Sequence, residues 1–203
     1  MTIKSWDKTW EKIYRSKEWG KYPPEELVRF VAHNYYKTKD RKAIKILDVG
    51  CGTGAATWFI AREEFDAYGI DGSPTAIKIA KKRFAAEKLK GHFQVGDIIS
   101  LPFKDDEFDA VTDIASIQHN SFKNIKKIVD ETYRVLKPDG KFFSMMIAED
   151  KSLSDWSGVI HFFTLAEIKK VFSIFSSASI DYVARTRNNG RGIQKFWLIE
   201  ATK

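Results

Sequence analysis

The sequence predicts an α/β protein, a doubly wound parallel sheet with helices on both faces, and three observations carry that reading. From Ile44 onward, short β-rich runs alternate with longer amphipathic stretches, and right-handed crossovers between parallel strands place such helices on both sides of a sheet. The first apolar run, Ile46-Leu-Asp-Val-Gly-Cys-Gly-Thr-Gly, passes through glycines at every second position straight into helix-forming residues. The last two β-rich runs are joined by a short turn instead of a helix, so a hairpin closes the pattern.

Taken in order, residues 1–42 stand apart, rich in tryptophan and tyrosine and broken in two by Pro23-Pro24. Trp6, Trp10, Ile13 and Tyr14 recur at helical spacing and predict an amphipathic helix laid on another surface. Pro23-Pro24 starts a second helix, Glu25 to Tyr36, whose buried stripe is Leu27, Val28 and Val31. Strands are expected at 43–49, 67–70, 92–95, 108–114 and 141–147, and helices at 55–64, 73–89, 125–136 and 165–172. Ser73 caps the second of these helices with Pro74 at its first position, and Pro138 and Gly140 stop the third. Residues 179–184 and 194–201 form the hairpin around Arg187-Asn-Asn-Gly-Arg.

At 203 residues the chain fits one domain, 1–203, long enough to bury a sizeable core. With 43% apolar and 30% charged residues it reads as globular. No apolar run approaches the roughly 18 residues that cross a bilayer, and the N-terminus lacks the apolar core of a secretory signal. A single cysteine rules out an intrachain disulfide or a multi-thiol metal site, so the expected compartment is the cytoplasm. The net charge of +7 speaks to solubility and steering more than to a nucleic-acid partner.

The glycine turn is the place where a doubly wound sheet binds ligands, beyond the carboxyl ends of its strands. Gly50, Gly52 and Gly54 permit positive φ and close backbone approach, and the next helix presents free N–H groups. The same letters satisfy a loose dinucleotide fingerprint, Gly50, Gly52 and Ala55 as G-x-G-x-x-A, so an NAD-binding oxidoreductase stands as an alternative. Three acids separate the readings: Asp48 ahead of the loop, Asp71 ending the second strand and Asp97 ending the third. Three carboxylates around one loop do not suit a pyrophosphate; they suit a ligand carrying an amine, a ribose and an adenine amino group.

Together with Phe108-Asp-Ala-Val on the fourth strand and Arg134-Val-Leu-Lys-Pro-Asp-Gly-Lys-Phe-Phe before the fifth, these features resemble the class I S-adenosylmethionine-dependent methyltransferases over most of residues 44–147. The resemblance implies a seven-stranded sheet of order 3-2-1-4-5-7-6 with an antiparallel last strand. It also implies S-adenosylmethionine as cofactor and a cofactor-binding half at 43–147. Carried over residue by residue, Asp48, Gly50, Cys51, Gly52 and Gly54 would cradle the methionine part. Asp71, with Gly72 and Ser73, would take the ribose, Asp97 and Ile98 the adenine, and Asp113 would face the cofactor or a helix start.

Methyl transfer is an in-line displacement that rests mainly on positioning, with a base needed only where the acceptor starts protonated. His119, in the segment after the fourth strand, is the candidate base or orienting group. No Asn-Pro-Pro-Tyr or Asp-Pro-Pro-Tyr stands there, which argues against nucleobase amines, and no convergent acids favour a metal.

Substrate choice is assigned to added segments. Residues 1–42 are similar to the lid of the thiopurine and tellurite methyltransferase relatives, which implies that Trp10 and Tyr14 touch the cofactor. Residues 148–203 hold a substrate loop, a helix and the hairpin. Trp19, Tyr22, Gln118, Trp156, His161 and Arg187 are the candidate acceptor contacts. The expected activity is methyl transfer to an oxygen or nitrogen of a small-molecule or glycan-like acceptor, by a monomer or homodimer. A non-catalytic cofactor-binding sensor or partner subunit is a further alternative. An RNA acceptor is less favoured, because no RNA-binding module is recognisable around the core.

Overall fold

In a computed structural model, residues 6–148, 159–186 and 192–203 are described. They form β1 (Lys45–Val49), β2 (Asp66–Asp71), β3 (His92–Val95), β4 (Phe108–Ile114), β5 (Leu136–Ile147), β6 (Ser177–Thr186) and β7 (Ile193–Thr202). The helices are α1 (Thr9–Ser16), α2 (Glu25–Tyr35), α3 (Ala55–Arg62), α4 (Pro74–Ala86), α5 (Phe122–Val135) and α6 (Leu165–Val171). The sheet order is β3-β2-β1-β4-β5-β7-β6, parallel through β5, with β7 antiparallel to both neighbours.

Alternation along the strands feeds two cores, because successive side chains leave opposite faces. Leu47, Val49, Val111 and Phe142 pack against Ile125, Ile128 and Val129 of α5 and Ile168 of α6. Ile46, Ala110 and Phe143 pack against Leu27, Phe30 and Val31 of α2 and Ile60 of α3. Phe30 stacks on Phe143 at 5.1 Å. Strands buried on both faces read as unbroken apolar runs, as β1 does.

Several boundaries differ from the sequence expectation for local reasons. α1 starts at Thr9, where the Asp7 side chain accepts from the Thr9 N–H at 2.8 Å, so Trp6 precedes the helix instead of belonging to it. α5 starts at Phe122, three residues early, because Ser121 caps it by accepting from the Asn124 N–H. α4 ends at Ala86, and Lys88 beyond it takes φ +54°. Strand pairing resumes at Leu136, opposite Phe108, with a register shift before Ala110 that absorbs Pro138 and the positive φ of Asp139. Asp109 pins that irregularity by accepting from the Lys45 N–H and from Lys137 Nζ. Each hairpin strand runs longer than its apolar letters suggested.

Candidate active site

The glycine loop leaves β1 at the carboxyl edge of the sheet, next to β4. Gly50 and Gly52 have φ +67° and +51°, and Gly54 at +82° begins α3. The loop is closely overlaid: a Cβ on Gly50 would fall 1.7 Å from Ser116 Oγ, and one on Gly52 would fall 2.7 Å from Tyr14 Oη. Ser116 Oγ donates to the Gly50 carbonyl at 3.2 Å, so the turn after β4 is fastened to the turn after β1.

Three carboxylates lie under this loop. Asp48 accepts from Thr57 Oγ1 at 3.0 Å and Thr112 Oγ1 at 3.3 Å. Burial, with Asp113 and Asp71 nearby, pushes it up to about 7 against those two hydrogen bonds. Asp71 accepts from the Gly52 N–H and the Ser73 N–H, both at 2.8 Å, and so holds the glycine loop to the start of α4. Burial raises it to about 6. Asp113 accepts from the Ser116 and Ile117 N–H groups and from Ser144 Oγ, and burial raises it to about 6 as well.

These shifts carry a stability signature. The folded pKa values lie above the ordinary carboxylate value of about 4, so the folded chain binds more protons than the unfolded one between about pH 4 and 7, and stability falls as pH rises through that window. His119, whose pKa burial depresses, opposes the trend, and Glu11, Glu131 and Glu167, whose carboxyls hydrogen bonds hold low, oppose it only at the acid end of the window, below about pH 5. In ligand-free protein the melting temperature is expected to be higher at about pH 5 than at pH 7, with a shallower slope in Asp48→Asn. A melting temperature that rises with pH over this range in thermal unfolding would contradict the account.

A cavity of about 340 Å³ opens above the loop. Its floor is Asp48, Gly50, Cys51 and Gly52, and one end is Asp71, Gly72, Asp97 and Ile98. Its roof is Trp10, Tyr14, Trp19 and Tyr22, and His119 stands at the far wall. Trp19 meets Trp10 and Tyr14 edge-on, with centroids at 5.6 and 5.9 Å, Trp10 meets the His119 ring at 4.8 Å, and Tyr22 packs edge-on against Trp58. The His119 Nδ1 lies 3.0 Å from the Val159 carbonyl; a carbonyl only accepts, so Nδ1 bears the proton and Nε2 is the basic nitrogen of the neutral ring.

Other residues singled out in the sequence stand elsewhere. Gly54 packs against Ala80 and Phe93, and Ser73 caps α4, both outside the cavity wall. Asp113 takes the second of its two expected places: it faces the start of the short helix Ile117–His119, accepting from the Ser116 and Ile117 N–H groups, because strand alternation puts it beside Ser144 on the sheet face opposite Thr112 and Asp48. Gln118 is fully buried; its Oε1 accepts from the Ile147 N–H at 2.6 Å, so it ties β5 to the β4 turn and does not face the cavity. His161 packs against Phe122 and Phe163 with Nε2 3.3 Å from Glu167, also away from the cavity. Trp156 and Arg187 lie outside the described residues.

Four contributors were not among the expected site residues. Trp6 lies on Gly72, where a Cβ would meet its indole at 2.2 Å. Ser116 locks the glycine loop. Asn120 lines the cavity, and its Oδ1 has no hydrogen-bond partner among the described residues. Glu11 of the roof helix reaches α4.

The residues present fit S-adenosylmethionine better than a dinucleotide. The open glycine cradle admits a ligand backbone-close, and the acids around it match a cation and hydroxyl donors while repelling a pyrophosphate. Although Asp71 already accepts two N–H groups, each of its oxygens keeps a second lone pair for a ribose hydroxyl.

Comparison with known proteins agrees with this geometry. Residues 46–140 match the methyltransferase domain family. The chain is 33% identical over 133 residues to a demethylmenaquinone methyltransferase of Symbiobacterium thermophilum, covering 63% of this chain and 49% of that one. It is 32% identical over 166 residues to the chloroplastic tocopherol O-methyltransferase of Arabidopsis thaliana, covering 77% and 46%. The chain thus spans about half the length of the curated relatives it matches. An S-adenosylmethionine-dependent methyltransferase from Methanosarcina mazei shares the fold, with TM-score 0.67 at 23% identity over 85% of this chain and 96% of the other. The glycine cradle, the acids around it, the strand order and the matched segment converge on one conclusion: residues 46–140 are a methyltransferase domain, carried on the fold of the S-adenosylmethionine-dependent methyltransferases.

Proposed function

We propose that the protein transfers a methyl group from S-adenosylmethionine to an oxygen or nitrogen of a small-molecule acceptor held under the aromatic roof. The observation that carries this reading is the single cavity in which the glycine cradle and Asp48, Asp71 and Asp97 face Trp10, Trp19 and His119. The cofactor supplies an electrophilic methyl on a sulfonium. The chain's own residues do the rest. Asp71 and Asp97 hold one end of the cavity, and the roof aromatics exclude water and offer flat apolar surface to a ring. His119 Nε2 takes the acceptor's proton, which its depressed pKa permits at and below neutrality. The Asn120 Oδ1 beside it, without a partner among the described residues, suits an acceptor that presents an N–H or O–H. Ring acceptors of the kind named by the quinone and tocopherol relatives fit this lining better than glycans.

Calorimetric titration with S-adenosylhomocysteine, with NADH in a parallel cell, tests the cofactor; binding of NADH alone overturns the reading. Turnover on a panel of phenols, hydroquinones and amines then separates an enzyme from a cofactor-binding sensor. His119→Ala is expected to lower kcat about 10²-fold or more, with the loss greatest near neutral pH, where a base matters most. Undiminished transfer across the pH profile would remove the base role.

A further inference from the structure

We propose that Glu11 is a positioning residue that latches the roof over the cofactor site, its carboxylate tying α1 to the first turn of α4 and, through Ser73, to Asp71. The inference rests on the cofactor reading above but starts from separate contacts.

α1 has eight residues, too few to hold a helix in water without tertiary support. Its cavity face carries Trp10 and Tyr14; Glu11 points elsewhere. One Glu11 oxygen accepts from Ser73 Oγ at 2.5 Å and from the Thr75 N–H at 3.4 Å. The other accepts from Thr75 Oγ1 at 2.5 Å and from Arg15 Nε at 2.8 Å. A carboxylate on a helix N-terminus is favoured by free N–H groups and by the macrodipole. Burial alone would raise the Glu11 carboxyl, yet the hydrogen bonds hold it at about 2, so the latch stays charged at every physiological pH.

The same contacts run on into the site. Ser73 Oγ, which donates to Glu11, accepts from the Ala76 N–H and caps α4. The Ser73 N–H donates to Asp71, whose other oxygen holds Gly52. Roof, α4 cap, ribose-side acid and glycine loop therefore form one hydrogen-bonded chain. A second strap lies one face along α4, where Arg83 donates to the Lys21 carbonyl and packs over the Trp58 ring. The roof is fastened to α4 at both ends of its aromatic stretch, and Glu11 is the end that meets the site.

The test compares wild type, Glu11→Ala and Glu11→Gln by hydrogen exchange in ligand-free protein and by stopped-flow release of S-adenosylhomocysteine. In Glu11→Ala, amides of α1 are expected to lose protection while those of β1 and β4 keep it. Release is expected to be at least about tenfold faster, as loss of a charged hydrogen-bonding group implies. Glu11→Gln, which keeps one acceptor oxygen, should recover part of both effects. Unchanged α1 protection in Glu11→Ala overturns the latch. Loosened α1 with unchanged release overturns its coupling to the cofactor site. If wild type fails to bind S-adenosylhomocysteine, the cofactor reading falls and the coupling with it, while α1 exchange still decides the docking contact.

Discussion

Gly50→Ala is expected to abolish measurable cofactor binding and to destabilise the fold by about 2–5 kcal/mol, since positive φ costs a β-carbon about 1–2 kcal/mol and a forced core displacement about 1–3 kcal/mol. The added methyl would fall 1.7 Å from Ser116 Oγ and 2.5 Å from its Cβ, at a φ of +67°. Neither neighbour is the free end of a long side chain. Ser116 is itself held by its N–H on Asp113 and its hydroxyl on the Gly50 carbonyl, so relief requires the β1 and β4 turns to separate. Those turns form the cavity floor. Combining Gly50→Ala with Ser116→Gly removes the clash but not the strained φ, and should restore part of the stability. Chemical denaturation and calorimetry on both variants check this; a single variant as stable as wild type would show that the turns yield more easily than their packing indicates.

Asp71→Ala carries the second large effect. It leaves the Gly52 and Ser73 N–H groups buried without an acceptor, at about 1–3 kcal/mol each, and removes the proposed ribose contact. Asp71→Asn is a sharper probe because its shape is the same. Both Asp71 oxygens accept from backbone N–H groups, whereas an amide has one acceptor and would turn its NH₂ on the other donor. Both variants are therefore expected to lose S-adenosylhomocysteine binding by 100-fold or more, about 2.7 kcal/mol. Asp71→Asn should be no more than partly better than Asp71→Ala. Near-wild-type affinity in Asp71→Asn would mean that neither N–H clamp nor ribose contact governs binding.

The strand-helix alternation and the glycine turn were legible because each is local: a few consecutive letters set β1, the positive-φ turn and the start of α3. Asp71 was legible as the end of the second strand and Asp97 as an acid just past the third, while the strand order came from the family resemblance. What escaped are contacts between elements distant in sequence. Glu11 and Ser73 are 62 residues apart, and Gly50 and Ser116 are 66 apart; no local pattern pairs them. Gln118 and His161 were polar letters in promising places, but burial turned one onto β5 and the other onto Phe122, Phe163 and Glu167. Asp113 reads in the sequence as facing the cofactor or a helix start, and the turn after β4 decides for the helix start. The Leu136 pairing was hidden by Pro138 and Gly140, which read as a loop until the bulge at Asp109 accommodates them.

Cys51 lies within this hydrogen-bonded chain, between Gly50 and Gly52, and is the sequence's sole cysteine. Its thiol is buried, and a β-carbon on Gly69 would sit 2.9 Å from its sulfur. Burial also pushes the thiol pKa up, so the native loop offers almost no thiolate. A disulfide reagent can then react only during moments when the loop opens, and its rate becomes a clock for those openings. The protein thus carries a one-atom reporter of its own breathing, with no engineered label.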